Sequence, residues 1–141
     1  MISIVRKMIN HLVRKPKTLF LTDGLGAMLT AFLLFAVLRN FNEYFGMSET
    51  ILTYLSAIAL FFCIYSMTCF FFLKGNWTPF IRAIAYANLL YCILTIGLLI
   101  ICNSTLTVLG ITYFLTEIAI VCVLVYIELK VAKTIKQNSI K

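Results

Sequence analysis

The sequence carries acidic side chains inside long runs of apolar residues, where a carboxyl group needs a hydrogen-bond partner or a function. Asp23 stands in the stretch TDGLGA, near the start of one such run, and Glu117 stands at the centre of a later run. Hydrocarbon solvates a carboxylate poorly, so a carboxyl group there favours its neutral form. The chemistry that these residues could support is therefore the binding and release of a proton, coupled to the arrival of a ligand or of water.

Glu117 is the better functional candidate of the two. The helix rise puts it near the middle of its run, at a depth that Asn88 and Tyr91 of the preceding run also approach. Tyr113 lies about one helical turn before Glu117 on the same face. Together with Asp23, these residues form the candidate polar seam. Two interpretations stay open, because the seam could bind a proton or a small solute, or its hydrogen bonds could only hold helices together.

Asp23 also has a structural interpretation, as a member of an ion pair near one face of the membrane. Arg82 and Glu128 are expected at a depth similar to that of Asp23, so the three side chains are candidates for a charged layer. The helix rise separates Asp23 from Glu117 by roughly 8–10 Å in depth, at ~1.5 Å per residue, which is too far for a close acid pair. Because the only histidine, His11, lies outside the apolar runs, we expect no catalytic centre and no enzyme activity.

The composition indicates that membrane-spanning elements position these side chains. Of the 141 residues, 62% are hydrophobic and 12% are charged, whereas the charged share of soluble domains is about 25%. The mean hydropathy of +1.02 agrees. The sequence therefore predicts an all-α, polytopic membrane protein with an antiparallel four-helix transmembrane bundle. The four apolar runs that predict the spans are residues 19–38, 50–73, 80–102 and 107–128.

Each predicted span carries one stripe of small or polar residues at helical spacing. Small residues at such spacing let helices approach closely, and polar residues need protein partners rather than lipid. The simplest assembly therefore turns all four stripes inward. In chain order the stripes consist of Asp23, Ala27 and Ala31; Ser56, Ala59, Cys63 and Ser66; Ala85, Asn88, Cys92 and Thr95; and Gly110, Tyr113, Glu117, Val121, Leu124 and Glu128.

Residues 1–17 predict a basic amphipathic helix that lies along an anionic membrane leaflet. Apolar side chains follow helical spacing on one face, basic and polar side chains occupy the other, and Pro16 ends the helix. The transmembrane domain is expected over 18–129 and a basic tail over 130–141. Lysine and arginine are concentrated in both terminal segments and near the loop between spans two and three. We therefore expect both termini in the cytoplasm.

The net charge of +7 comes from basic residues outside the apolar runs, so we expect contact with anionic lipid and no nucleic-acid partner. The five cysteines all fall in apolar runs, without a Cys-x-x-Cys motif and far in sequence from the histidine. Cysteines of this kind usually fill space in a core. We therefore expect no metal site, no disulfide framework and no cofactor.

Two motifs carry a resemblance to a known group of proteins. DGLGA at 23–27 and ANLLYC at 87–92 resemble motifs of small four-span membrane proteins of bacteria to which no activity is assigned. The resemblance covers nearly the whole chain and implies a multi-pass protein of the bacterial inner membrane. It implies nothing about activity and transfers no functional residue.

Two functions fit these observations. The first is an accessory or interaction protein, whose polar seam is structural and whose amphipathic helix and tail contact anionic lipid or a partner. The alternative is a bundle that binds or transports a small solute or a proton at Glu117. A homo-oligomer or a larger membrane complex is compatible with both functions. A dry, close-packed axis would favour the first, and a cavity that reaches Glu117 would favour the alternative.

Overall fold

The computed structural model describes residues 2–140, which are almost entirely helical. Four of its helices are long and apolar enough to cross a membrane, so the predicted all-α polytopic bundle is confirmed. The N-terminal helix and the C-terminal part of the last helix pack together at one end of the bundle, called the terminal end below. The helices are α1 Ile2–Arg14, α2 Pro16–Phe32, α3 Asn42–Phe45, α4 Glu49–Phe72, α5 Trp77–Ile101 and α6 Val108–Ile140.

Helix α1 is the amphipathic helix that the sequence predicts, and Pro16 separates it from α2. Lys15 forms the connection with φ −130°, and Pro16 then occupies the first position of α2, where a missing N–H costs nothing. The apolar face of α1 packs against both α2 and α6, with Leu12 buried in the core. The helix therefore contacts protein along one face, in addition to the surface that it offers to a membrane.

Helix α2 continues beyond Phe32 as a π-helical segment, Leu33–Leu38. The backbone N–H of Arg39 donates to the carbonyl of Leu34, five residues earlier, at 3.0 Å. The two leucines at 34 and 38 are both buried. The segment thus extends the first span to the loop that carries α3, in agreement with the predicted end at residue 38.

The starts of α4 and α5 differ in their caps. Ser48 caps α4 by accepting a hydrogen bond from the backbone N–H of Ile51 at 3.3 Å. Helix α5 begins at Trp77, after Asn76 in the left-handed region with φ 51°, and has no side-chain cap. Pro79 fits within the first turn, since the N–H groups there have no intrahelical partner.

Helix α6 is longer than the predicted fourth span. The segment 130–141 was expected to be a separate basic tail, but the helix continues without a break to Ile140. Val131 and Ala132 are both fully buried in this extension, where α1 packs against α6. The lysines of the extension lower its hydropathy, and a span prediction therefore ends before them.

The spanning helices associate as two hairpins. Helices α2 and α4 pack closely along each other and form the first hairpin, while α5 and α6 form the second, and α2 makes little direct contact with α6. Gly24 lets α2 approach α4, because a Cβ there would lie 2.8 Å from Sδ of Met67. Apolar clusters join the hairpins at each end of the bundle, and the polar seam lies between these clusters.

Candidate functional site

Asp23 is the centre of a buried polar cluster that connects the two hairpins. The hydroxyl of Ser66, from α4, donates to Oδ2 of Asp23. From α5, Nδ2 of Asn88 donates to Oδ1 of Asp23 at 2.9 Å and to Oε2 of Glu128 on α6 at 3.4 Å. All four residues are buried. We call Asp23, Ser66, Asn88 and Glu128 the diacid cluster, since every spanning helix contributes one side chain and two of these are acids.

The two acids of the diacid cluster are neighbours. The carboxyl of Glu128 lies within hydrogen-bond reach of the carboxyl of Asp23, and Glu128 is fully buried while Asp23 is 3% exposed. Oε1 of Glu128 has no hydrogen-bond partner in the described part of the chain. Two carboxylates so close together would repel each other, and the amide of Asn88 donates to both of them.

Arg82 does not belong to this cluster, which corrects the predicted charged layer. The hydrogen-bond donors to the two acids are Ser66 and Asn88, and Arg82 is only half-buried. Asn88 follows Arg82 by six residues, so Arg82 lies ~9 Å nearer the terminal end at ~1.5 Å per residue. Asp23 lies deeper than expected because α2 starts at Pro16, three residues before the predicted span.

Glu117 occupies a second polar site, within the second hairpin. The hydroxyl of Tyr91 donates to Oε1 of Glu117 at 2.9 Å, whereas Oε2 has no partner among residues 2–140. The side chain is 8% exposed. Tyr91 also packs edge-on against Phe62 of the first hairpin, with 6.1 Å between ring centroids. Asn88, an expected partner of Glu117, bonds the acids of the diacid cluster instead.

Tyr113 is the least integrated member of the predicted seam. It is half-buried and close enough to Glu117 to interact electrostatically. Its ring packs edge-on against Phe114 and Phe45, with 5.1 Å and 6.2 Å between centroids. Tyr91 rather than Tyr113 is therefore the hydrogen-bond donor to Glu117.

A cavity of about 90 Å³ brings together the members of the seam except Tyr113, which does not line it. All four spanning helices contribute to its wall, and α2 and α6 supply most of the lining because they do not pack directly against each other. Gly26 is on this wall, where an added Cβ would have no neighbour within 4 Å. A cavity of this size with polar partners has room for several waters or for one small solute. Its polar lining consists of Asp23, Thr30, Asn88, Tyr91 and Glu117.

The lining of this cavity contains two acidic residues and no basic residue, and most of its surface is apolar. Asp23 and Glu117 both contribute to it, and neither lysine, arginine nor histidine does. The five cysteines are free thiols, and Sγ of Cys92 lies 3.9 Å from Sγ of Cys122, away from the cavity lining. The arrangement suits a proton or a cation, since an anion would meet two acids and no positively charged side chain.

The chain matches no protein-family model, no curated protein and no solved structure. The geometry of the cavity and of the polar groups around it is therefore the evidence for a function.

Proposed function

We propose that this chain is an integral membrane protein that binds a small cation in the Glu117 cavity in exchange for a proton. The observation that carries the proposal is the cavity itself, because it reaches Glu117 and its lining contains two acids and no basic residue. Oε2 of Glu117 is buried without a hydrogen-bond partner among the described residues. An oxygen in that state is free to coordinate a ligand that enters the cavity.

The chemistry of the exchange follows from charge. A carboxylate buried in hydrocarbon is costly without a counter-ion, so the resting Glu117 holds a proton. A cation in the cavity supplies the counter-ion and lets the proton leave. Tyr91 holds Glu117 in place through Oε1, while Oε2 faces the ligand. The ligand class is a monovalent cation small enough for about 90 Å³, such as a primary ammonium group.

The diacid cluster gives the displaced proton a place to go. Asp23 lines the cavity and also lies within hydrogen-bond reach of Glu128, which sits on the side of Glu117 nearer the terminal end. The two acids together therefore offer proton acceptors from the wall of the cavity toward the terminal end. This arrangement supports proton-coupled binding rather than simple cation storage.

The location that we propose is the inner membrane of a bacterium, with both termini in the cytoplasm. The concentration of lysine and arginine at the terminal end supports this orientation. Fusions of a fluorescent protein and of alkaline phosphatase to each terminus test it. Fluorescent fusions and inactive phosphatase fusions at both termini are expected, and an active phosphatase at either terminus contradicts the orientation.

Proton release on ligand addition tests the proposed function. Methylammonium is added to the purified protein in weakly buffered detergent solution that contains a pH-sensitive dye. We expect about one proton released for each methylammonium bound, because one carboxyl group is exchanged. Glu117→Gln should abolish the release, since the amide still accepts from Tyr91 but has no acidic proton. Glu43→Gln, a change in the exposed helix α3, is the control and should release as many protons as the unmodified chain.

A cavity-filling variant separates loss of binding from loss of folding. Gly26→Leu fills the cavity and touches no carboxyl group, whereas Gly97→Leu puts the same side chain at another position with open space and away from the cavity. We expect Gly26→Leu to weaken methylammonium binding about tenfold or more, and Gly97→Leu to leave it unchanged. Equal proton release from both variants would contradict the cavity as the binding site.

A second candidate function is that of an accessory protein, which the basic surface of the terminal end favours. Exposed basic side chains on α1 lie beside the extension of α6, whose exposed Lys130 and Lys133 add to the same charge. Such a platform suits an acidic protein partner or an anionic membrane surface. Co-purification of a larger membrane complex that is lost when both lysines are changed to glutamine would favour this function.

A further inference from the structure

A second cavity, of about 380 Å³, lies between α1, α2 and α6 at the terminal end. It exists because α2 and α6 leave a gap that α1 bridges only at one end. Most of its wall is apolar, with leucine, isoleucine and methionine side chains from the three helices. We call it the α1 groove. Its floor consists of Leu19, Thr22, Leu124 and Ile127.

The outer end of the α1 groove is basic. Lys7 and His11 line the groove and also line an adjoining polar cavity of about 220 Å³, to which Asn10 and Arg14 contribute. Neither lining contains an acidic residue, and α1 itself has none. The two cavities together therefore make a continuous surface that is cationic at one end and apolar at the other.

The depth of this surface matches the boundary between headgroups and hydrocarbon. The basic end lies on α1, outside the spans, while Thr22 and Leu124 lie inside α2 and α6. The hydroxyl of Thr22 donates a hydrogen bond to the backbone carbonyl of Thr18 at 2.9 Å. It therefore needs no hydrogen-bond partner from a ligand, and the floor remains apolar. An occupant of this surface needs an anionic group at the interface and an apolar chain that runs into the membrane.

We propose that the α1 groove binds one anionic phospholipid. Lys7, His11 and Arg14 contact its phosphate group, which is the charge complement of this end, and one acyl chain lies along Leu19, Leu124 and Ile127. Leu124 also lines the Glu117 cavity, so the acyl chain reaches the lateral opening of that cavity. The proposal does not depend on cation binding at Glu117, since it uses different charged groups.

Native mass spectrometry of the purified protein tests the proposal. The protein is titrated in a neutral detergent with dioleoyl-phosphatidylglycerol, and in parallel with dioleoyl-phosphatidylcholine as the neutral lipid. We expect one phosphatidylglycerol molecule retained at concentrations at which phosphatidylcholine is not retained. Equal retention of both lipids, or retention of neither, overturns the proposal.

Two pairs of variants locate the binding site. The double change Lys7→Gln and Arg14→Gln should lower phosphatidylglycerol occupancy about tenfold or more. Its matched control, Arg6→Gln with Lys17→Gln, removes the same charge from residues outside both cavities and should change occupancy little.

Thr22→Trp blocks the groove and should lower occupancy as strongly, whereas Ile64→Trp, on the exposed face of α4, should not. If phosphatidylglycerol occupancy falls equally in each variant and in its control, the α1 groove is not the binding site.

Other occupants give different results in the same experiment. If inorganic phosphate at millimolar concentration displaces the lipid completely, the basic end alone binds anions and the groove is not used. If the groove instead holds a second copy of the chain, a dimer mass appears that Thr22→Trp removes. Both results overturn the proposal. A phosphatidylglycerol with a photoreactive acyl chain gives an independent readout on the unmodified protein, and labelling within 18–22 and 124–127 is expected, while labelling only elsewhere overturns it.

Discussion

The two carboxyl sites of this bundle differ in how many hydrogen-bond donors they hold and in which helices they join, although each contains one carboxyl oxygen without a partner in the described chain. In the diacid cluster, Asp23 receives two donors and side chains of all four spanning helices meet. At the second site, Glu117 receives one donor, Tyr91, from the neighbouring helix of the same hairpin, and its other oxygen has no partner in the described chain. The first site therefore joins the two hairpins, whereas the second lies within one hairpin.

This difference separates stability from binding. A buried polar group that has its partners contributes to the free energy of folding, and the loss of one partner leaves the other groups unsatisfied. A group without a partner contributes little and is costly until a ligand arrives. Changes in the diacid cluster should therefore act mainly on the free energy of unfolding, and changes at Glu117 mainly on ligand binding.

The largest effect is expected from Asn88→Leu. The leucine has the same number and branching of side-chain heavy atoms but removes the donor that both Asp23 and Glu128 use. Two buried carboxyl groups lose a partner at once, so we expect the free energy of unfolding to fall by about 2–4 kcal/mol. Unfolding by SDS in mixed micelles measures this, with the fluorescence of the single tryptophan, Trp77, as the probe.

Leu90→Ala is the control for that measurement. Leu90 is on the same helix and is 67% exposed on the outer face of the bundle, so its truncation should lower the free energy of unfolding by less than about 0.5 kcal/mol. A loss of similar size in both variants would mean that the diacid cluster does not hold the hairpins together.

Helix positions could be predicted from the sequence because they follow from the lengths of apolar runs. Three of the four predicted spans agree with the helices to within about three residues, at the ends where boundaries are least certain. The fourth span was predicted too short, because lysines on the outer face of the α6 extension hide its buried Val131 and Ala132. Average hydropathy does not record which face of a helix a charge occupies.

The partners of each polar group could not be predicted in the same way. The inward stripes correctly place Ser66, Asn88 and Glu128 inside the bundle, because periodicity fixes the face of a helix. Which residues meet depends on the relative height of neighbouring helices, and a shift of three residues in the start of α2 moves Asp23 by ~4.5 Å. This shift is why Asp23 meets Asn88, while Glu117 keeps only Tyr91.

A smaller effect is expected from Tyr91→Phe at the second site. The phenylalanine keeps the ring that packs against Phe62 and removes only the hydroxyl that donates to Glu117. One hydrogen bond between helices of one hairpin is lost, so the free energy of unfolding should fall by about 1 kcal/mol. Tyr126→Phe, at a 53% exposed position of α6, should change it by less than about 0.3 kcal/mol. A loss at Tyr91 as large as that of Asn88→Leu would remove the distinction between the two sites.

The smallest effect is the energetic coupling between the two sites, measured by a double-mutant cycle of Asn88→Leu and Tyr91→Phe. The two side chains line one cavity but bond different acids, so the coupling should stay below about 0.5 kcal/mol. The control is a second double-mutant cycle, Ser66→Ala with Asn88→Leu. Both residues donate to Asp23, so this cycle should show a coupling of about 1 kcal/mol or more.

Strong coupling in the cycle of Asn88→Leu and Tyr91→Phe would mean that Asp23, Glu128 and Glu117 share protons in the resting protein. The free oxygen of Glu117 would then belong to one hydrogen-bonded network, and a ligand that binds there would also loosen the contact between the hairpins.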